Sequence, residues 1–89
     1  MFTRTALEQA AAAGDAARVR ELLAAGANVD ETSENDRTAL MEACYYGHEP
    51  TSRLLIEAGA DLEKANKWGD TALAIACRYE RSECIRLLL

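Results

Sequence analysis

A chain of 89 residues with 49% hydrophobic content forms one small domain, near the lower size at which a single hydrophobic core stabilises itself. Its formal net charge of −5 excludes a general binder of nucleic acid or of anionic membrane, since both need clustered basic charge. No apolar run approaches the ~18 residues of a membrane span, so neither nucleic acid nor membrane is expected as a partner.

The opening segment is rich in alanine and carries Arg4, but it also holds Glu8 and Asp15. It therefore reads as structure and not as a transit peptide. Thr5-Ala6-Leu7-Glu8 has capping-box spacing, with the hydroxyl reaching forward and the carboxylate back to free helix amides. Gly14 stops that helix, because glycine takes the left-handed conformation at C′ without penalty. A second helix from about Ala16 to Ala25 aligns Val19, Leu22 and Leu23 on one stripe and stops at Gly26. The run from Ala27 to Arg37, with Asn28, Asp30, Ser33, Asn35 and Asp36 as turn formers, loses the apolar period and follows as a connector.

At Thr38 the cycle begins again. Thr5-Ala6-Leu7, Thr38-Ala39-Leu40 and Thr71-Ala72-Leu73 fall in one column under a shift of 33 residues, as do Gly26-Ala27 and Gly59-Ala60. Such a period predicts a stacked array, in which each unit buries its apolar face on its neighbours. In the second unit one helix runs to about Tyr46 and stops at Gly47. The next starts near Glu49 with Pro50 in its first turn, where a missing amide hydrogen costs nothing. In the third unit the first helix should run through Tyr79. Glu80 stands in the column of Gly14 and Gly47, so a non-glycine residue must take the left-handed turn there or the turn must differ. Ser82 is expected to cap a last helix from Glu83 to Leu89.

Cys44, Cys77 and Cys84 are an odd set without CxxC spacing, beside a single histidine. That pattern predicts neither a metal site nor a disulfide framework, but small buried residues in the cytoplasm or another reducing compartment. No acid–base pair or phosphate loop is visible, so an enzyme and a bound cofactor are not expected. Arg20, Arg53 and Arg86 form a column on the second helices, and Glu49 and Glu83 lie at helix-pair spacing from Arg53 and Arg86. A solvated, salt-bridged helix face follows.

These features together resemble the ankyrin repeat family. The residues that carry the resemblance are Asn66-Lys67-Trp68-Gly69-Asp70-Thr71-Ala72-Leu73, Ala43-Cys44-Tyr45-Tyr46-Gly47-His48, Leu54-Leu55-Ile56-Glu57-Ala58-Gly59-Ala60-Asp61-Leu62 and Ala25-Gly26-Ala27-Asn28-Val29-Asp30. The chain departs from the family pattern in reading TALE, TALM and TALA where the family has T-P-L-H, and in placing Asp36 and Glu80 at glycine positions. The resemblance implies an all-α repeat solenoid of stacked helix-turn-helix units, with short β-hairpin or loop fingers. It would be a single domain over residues 1–89, with units at about 3–35, 36–68 and 69–89, the third truncated.

The resemblance also implies a non-enzymatic module that binds a partner protein on its concave side, through finger tips and first helices. The finger positions hold Phe2 and Arg4, then Glu34, Asn35 and Arg37, then Lys67, Trp68 and Asp70. The helix-end positions hold Ala12 and Ala13, then Tyr45 and Tyr46, then Arg78 and Tyr79. Every aromatic residue of the chain is among them, although aromatics usually anchor cores and bury ~150–250 Å² each. Trp68, Tyr46, Tyr79 and Tyr45 are thus the expected anchors, and Arg37, Asp70, Arg78, Glu34 and Lys67 the charges that select the partner. The lone His48, at the family's Gly-His position, is expected to bridge hairpins. An alternative reading makes the chain a segment of a longer scaffold, or a unit that self-associates through Leu87-Leu88-Leu89.

Overall fold

A computed structural model describes residues 3–89. Met1 and Phe2, and with Phe2 one of the expected contact residues, lie outside the described residues. Three helical pairs follow in chain order: α1 Ala6–Ala13 with α2 Ala16–Ala24, α3 Ala39–Tyr46 with α4 Glu49–Glu57, and α5 Ala72–Arg78 with α6 Ser82–Leu88. The first helices α1, α3 and α5 stack in one layer, and α2, α4 and α6 in a second. The result is a slab of 31 × 28 × 20 Å.

Each first helix starts at a threonine of the repeated column. The side chains of Thr5, Thr38 and Thr71 accept hydrogen bonds from the amides of Glu8, Met41 and Ala74 at 3.1, 3.2 and 3.2 Å. At Thr5 the capping box is complete, Glu8 reaching back to the Thr5 amide. Alanines let the two layers approach: Ala11, Ala43 and Ala76 are wholly buried, with Leu40, Val19, Leu55, Cys44 and Cys84 around them. Small side chains at that interface admit the 8–10 Å interaxial spacing of packed helices.

Gly14 and Gly47 end α1 and α3 at φ 71° and 73°. The third hairpin makes the same turn with Glu80 at φ 54°. The strained alternative anticipated for this residue is therefore the one adopted. Asp36, in the glycine column of the first full connector, is likewise left-handed at φ 58°.

The repeats are also tied together by polar side chains. His48 Nε2 donates to the Ala12 carbonyl at 3.0 Å, a bond that fixes the proton on that nitrogen because a carbonyl only accepts. One period later Arg81 Nε donates to the Tyr45 carbonyl at 3.0 Å. Both bonds satisfy carbonyls left over at the end of a preceding helix. They also explain why the turn glycines have no tolerance for a side chain. A Cβ on Gly14 would lie 2.7 Å from the His48 ring, and one on Gly47 would lie 2.9 Å from Arg81.

Several expectations need correction. The last helix spans Ser82–Leu88, and its N-cap is Arg81, without a side-chain cap hydrogen bond. Ser82 sits inside the first turn, because Arg81 occupies the His48 column and spends its side chain on the preceding repeat. The fingers contain no strand among the described residues; they are loops, the first with one 3-10 turn at Glu34–Asp36. Cys44 and Cys84 are buried, but Cys77 is exposed. Cys44 lies 3.9 Å from the Ser52 hydroxyl, which is itself 3.5 Å from Cys84 Sγ of the third repeat; none of the described residues closes over Cys77 in this way. Burial, with Cys84 close by, pushes the Cys44 thiol up to about 12.

Four buried polar residues were not anticipated: Glu8, Glu42, Thr51 and Ser52. Ser52 Oγ donates to the His48 carbonyl at 2.8 Å, and Glu8 Oε2 accepts from Ser33 Oγ at 2.7 Å. The Thr51 hydroxyl finds no hydrogen-bond partner among the described residues.

Candidate functional site

The two complete fingers are shaped by local polar chemistry. In each, the residue five positions before the capping threonine bonds back: the Ser33 amide donates to the Arg37 carbonyl at 3.1 Å, and the Asn66 amide to the Asp70 carbonyl at 2.9 Å. Asn66 Oδ1 additionally accepts from the amides of Trp68 and Asp70 at 2.9 and 3.0 Å. This is the Asx geometry in which a short side chain stands in for a backbone turn. The Lys67 amide donates across to the Asn35 carbonyl at 2.8 Å. Trp68 therefore has a backbone clamped on two sides and a side chain that is 61% exposed.

Between this finger and α3 and α5 lies an open groove of about 470 Å³, lined by Arg37, Met41, Glu42, Tyr45, Asn66, Trp68, Asp70, Ile75, Arg78 and Tyr79. Met41, Glu42 and Ile75 are buried and the three aromatic side chains are exposed. Tyr45 is the centre of an aromatic chain: its ring centroid is 4.6 Å from Tyr79 and 4.8 Å from Tyr46, and Tyr46 stacks at 6.1 Å from His48. Edge and tilted arrangements of this kind suit the ring quadrupoles. The adjacent Tyr79 phenol is the main reason that the Tyr45 hydroxyl titrates above its ordinary range.

Charge in the groove is organised in internal pairs. Arg78 grips Asp70 with two bonds of 2.9 and 3.1 Å, the fork geometry that fixes both side chains. Glu42, only 2% exposed, sits between Arg4 Nε at 2.8 Å and Arg37 Nη1 at 3.1 Å. The Tyr46 hydroxyl, accepting from Arg4 at 3.3 Å, and the Glu42 carboxylate favour the charged Arg4 guanidinium and raise its pKa.

Of the nine residues anticipated from the sequence, six line this groove: Trp68, Tyr45, Tyr79, Arg37, Asp70 and Arg78. Tyr46 lies beside it, turned to Arg4 and His48. Glu34 and Lys67 are exposed on neighbouring fingers outside the lining. Sequence reasoning missed Met41, Glu42, Asn66 and Ile75, which form its floor and support. The missing signal was in the columns: Gln9, Glu42 and Ile75 share one position, so an acid stands between a polar and an apolar residue. Among the described residues no group of His, Cys, Asp and Glu side chains could hold a metal ion, and no helix is long and apolar enough to cross a membrane.

The stacking, the two helical layers and the recurring Gly turns are matched by the family model of ankyrin repeats (3 copies) over residues 7–89. The chain belongs to the ankyrin repeat family. The crystal structure of the human ASB11 ankyrin repeat domain is similar to it with a TM-score of 0.90 and 34% sequence identity, over 96% of this chain and 38% of that one. Among curated proteins none matches the sequence. Ankyrin repeats are generally modules of protein–protein interaction and typically non-enzymatic scaffolds. On the convex side of this ankyrin domain, Arg53 Nε bonds Glu49 at 2.9 Å and Arg86 Nη1 lies 3.5 Å from Glu83, the exposed helix pairs expected of a solvated face.

Proposed function

We propose that this ankyrin domain binds a partner protein through the groove between the Trp68 finger and the ends of α3 and α5. Trp68 is the main anchor, and Tyr45 and Tyr79 form the opposite wall. The observation that carries this reading is the pairing of a clamped backbone with an exposed indole. Holding the residue in place beforehand reduces the ordering cost that a partner would otherwise bear on binding. Trp and Tyr beside a desolvated floor such as Met41 and Ile75 are the residue types of binding hot spots.

The charges act mainly in positioning. Arg78 with Asp70, and Arg37 with Glu42, hold the rim in one arrangement, so a partner side chain that fits between the pairs is favoured over one that must break them. Glu34 and Lys67, of opposite sign and on adjacent fingers, add orientation at the edge. Tyr46 acts through Tyr45, whose ring it braces.

The test compares proteins recovered from cells by the wild type, by a Trp68→Ala, Tyr79→Ala double variant and by a convex-face Arg53→Ala control. Loss of the same partners from the double variant alone, with an unchanged circular dichroism spectrum, is the expected result. Equal recovery by a folded double variant would refute the groove.

A further inference from the structure

The charges of the Trp68 groove are layered, and the layering selects the chemistry of what binds there. In each ion pair of the lining the carboxylate lies beneath and the guanidinium outside. The Glu42 side chain is 2% exposed against 31% for Arg37, and that of Asp70 17% against 57% for Arg78. A partner approaching from solvent therefore meets cations first, although the lining holds as many acids as bases. Arg4 adds to the imbalance as a second cation on the Glu42 carboxylate, at 2.8 Å. In a chain of net charge −5 this is a local excess of positive charge.

The outer cations are also held in place. Arg78 gives Asp70 one N–H from each Nη, at 2.9 and 3.1 Å, and a guanidinium carries five N–H donors in a fixed fork. The rest of that fork keeps one orientation at the rim, because Asp70 belongs to a finger fixed by the Asn66 turn. The exposure belongs to this side of the molecule and not to an end of the stack. Tyr45 occupies the Arg78 column one unit earlier, lies against Tyr79 of the third repeat, and is still 36% exposed. Glu34 and Asp36, the exposed acids of the preceding finger, stand outside the lining.

We propose that the occupant of the groove is a short extended segment of the partner protein that carries an aspartate or glutamate next to an apolar side chain. The carboxylate bonds Arg78 at the rim, in the field of Arg37, and the apolar side chain enters between Trp68 and Tyr45 above Met41 and Ile75. Both ion pairs stay intact in this arrangement. A lysine or arginine in the same place would face guanidinium groups and reach a carboxylate only by breaking a pair, which is the repulsive half of specificity. A volume of about 470 Å³ falls within the ~300–1,000 Å³ of ligand pockets, so it takes a few side chains and not a folded surface. The inference rests on the groove being the binding site and adds the chemistry of the partner.

The experiment pans the whole chain against random short peptides displayed without free C-termini or phosphate, so that only side chains supply carboxylates. Selected peptides are then synthesised with blocked termini and titrated by fluorescence anisotropy. The expected sequences hold Asp or Glu beside an aromatic or aliphatic residue. Exchanging that acid for its amide weakens binding at least about tenfold. Raising salt from about 0.05 M to about 0.5 M weakens the acidic peptide and not the amide form. Arg78→Gln lowers affinity for the acidic peptide, whereas Asp70→Asn, which removes the competing carboxylate, raises it. Equal losses from both variants would mean that the pair only shapes the rim, and would overturn the proposal. Peptides without an acid, or with a basic residue in its place, overturn it too, as does the recovery of none. Trp68→Ala separates the two readings. Acid-free peptides that are lost from Trp68→Ala leave the groove as the site and remove only its acidic preference; acidic peptides that still bind Trp68→Ala put the contact elsewhere and remove both.

Discussion

Replacing Glu80 with glycine should stabilise the domain, and the size of the gain follows from one backbone angle. Glu80 closes the third helical hairpin at φ 54°, in the column where Gly14 and Gly47 adopt 71° and 73°. A residue with a Cβ in this conformation costs roughly 1–2 kcal/mol relative to the right-handed region. Glycine avoids that cost but loses more freedom on folding, which returns about 0.5–1 kcal/mol. The net gain is about 0.5–1 kcal/mol, or roughly 2–8 °C in Tm for a domain of this size. The assay is urea and thermal unfolding of Glu80→Gly beside Glu80→Ala. The alanine variant removes the same charge and keeps the Cβ, so it isolates the conformational contribution. If alanine stabilises as much as glycine, the reasoning from φ is refuted and the charge of Glu80 is responsible. Gly47→Ala tests the converse. It adds a left-handed Cβ and brings it to 2.9 Å from Arg81, so it should lose at least about 1 kcal/mol together with the Arg81 bond to the Tyr45 carbonyl.

Two further outcomes follow from buried polar groups. Thr51→Val keeps the shape of a 1% exposed side chain and removes a hydroxyl without a partner, and should raise stability by about 1 kcal/mol in urea unfolding; unchanged or lower stability would mean that the hydroxyl is satisfied in solution. Glu8 has its carboxyl pKa raised, chiefly by burial. The folded state therefore binds the proton more tightly than the unfolded state, and the associated stability is present below the ordinary carboxylate range and lost as pH rises through the raised value. Glu8→Gln, which can still accept from the Thr5 amide, should flatten that part of the pH profile and be the more stable form at pH 7. A wild-type profile that rises with pH more steeply than the variant's would contradict this sign.

Much of the architecture was legible because its determinants are local. Thr5, Thr38 and Thr71 cap helices with their own next turn, and Gly14 and Gly47 are demanded by a single dihedral angle. Residues of this kind act through neighbours in sequence, so a period of 33 reveals them. Arg81 was not legible as the successor of His48, since imidazole and guanidinium share no shape; they share only an N–H at the right distance from the preceding repeat. Ser82 was misread as a cap for the same reason. Glu42 was missed because its partners, Arg4 and Arg37, come from two different connectors, and only stacking brings them to one carboxylate. Cys77 was expected inside by analogy with Cys44. Burial is a property of the neighbour and not of the column, and a sequence column carries no information on whether a neighbour is present. In the groove, the aromatic residues were found because they were absent from the core pattern, whereas Met41 and Ile75 look like ordinary core residues and are visible as a floor only in three dimensions.

The bonds from His48 to the Ala12 carbonyl and from Arg81 to the Tyr45 carbonyl give the stack a direction. In each case a last-turn carbonyl of a first helix is taken up by a donor belonging to the following unit, while its neighbours bond to amides of the helix's own turn. The first hairpin is finished only once the second has docked, and the second only once the third has. The Trp68 groove, framed by α3 and α5, therefore lies across a junction that the third repeat latches by holding the backbone of Tyr45, one of the groove's own walls.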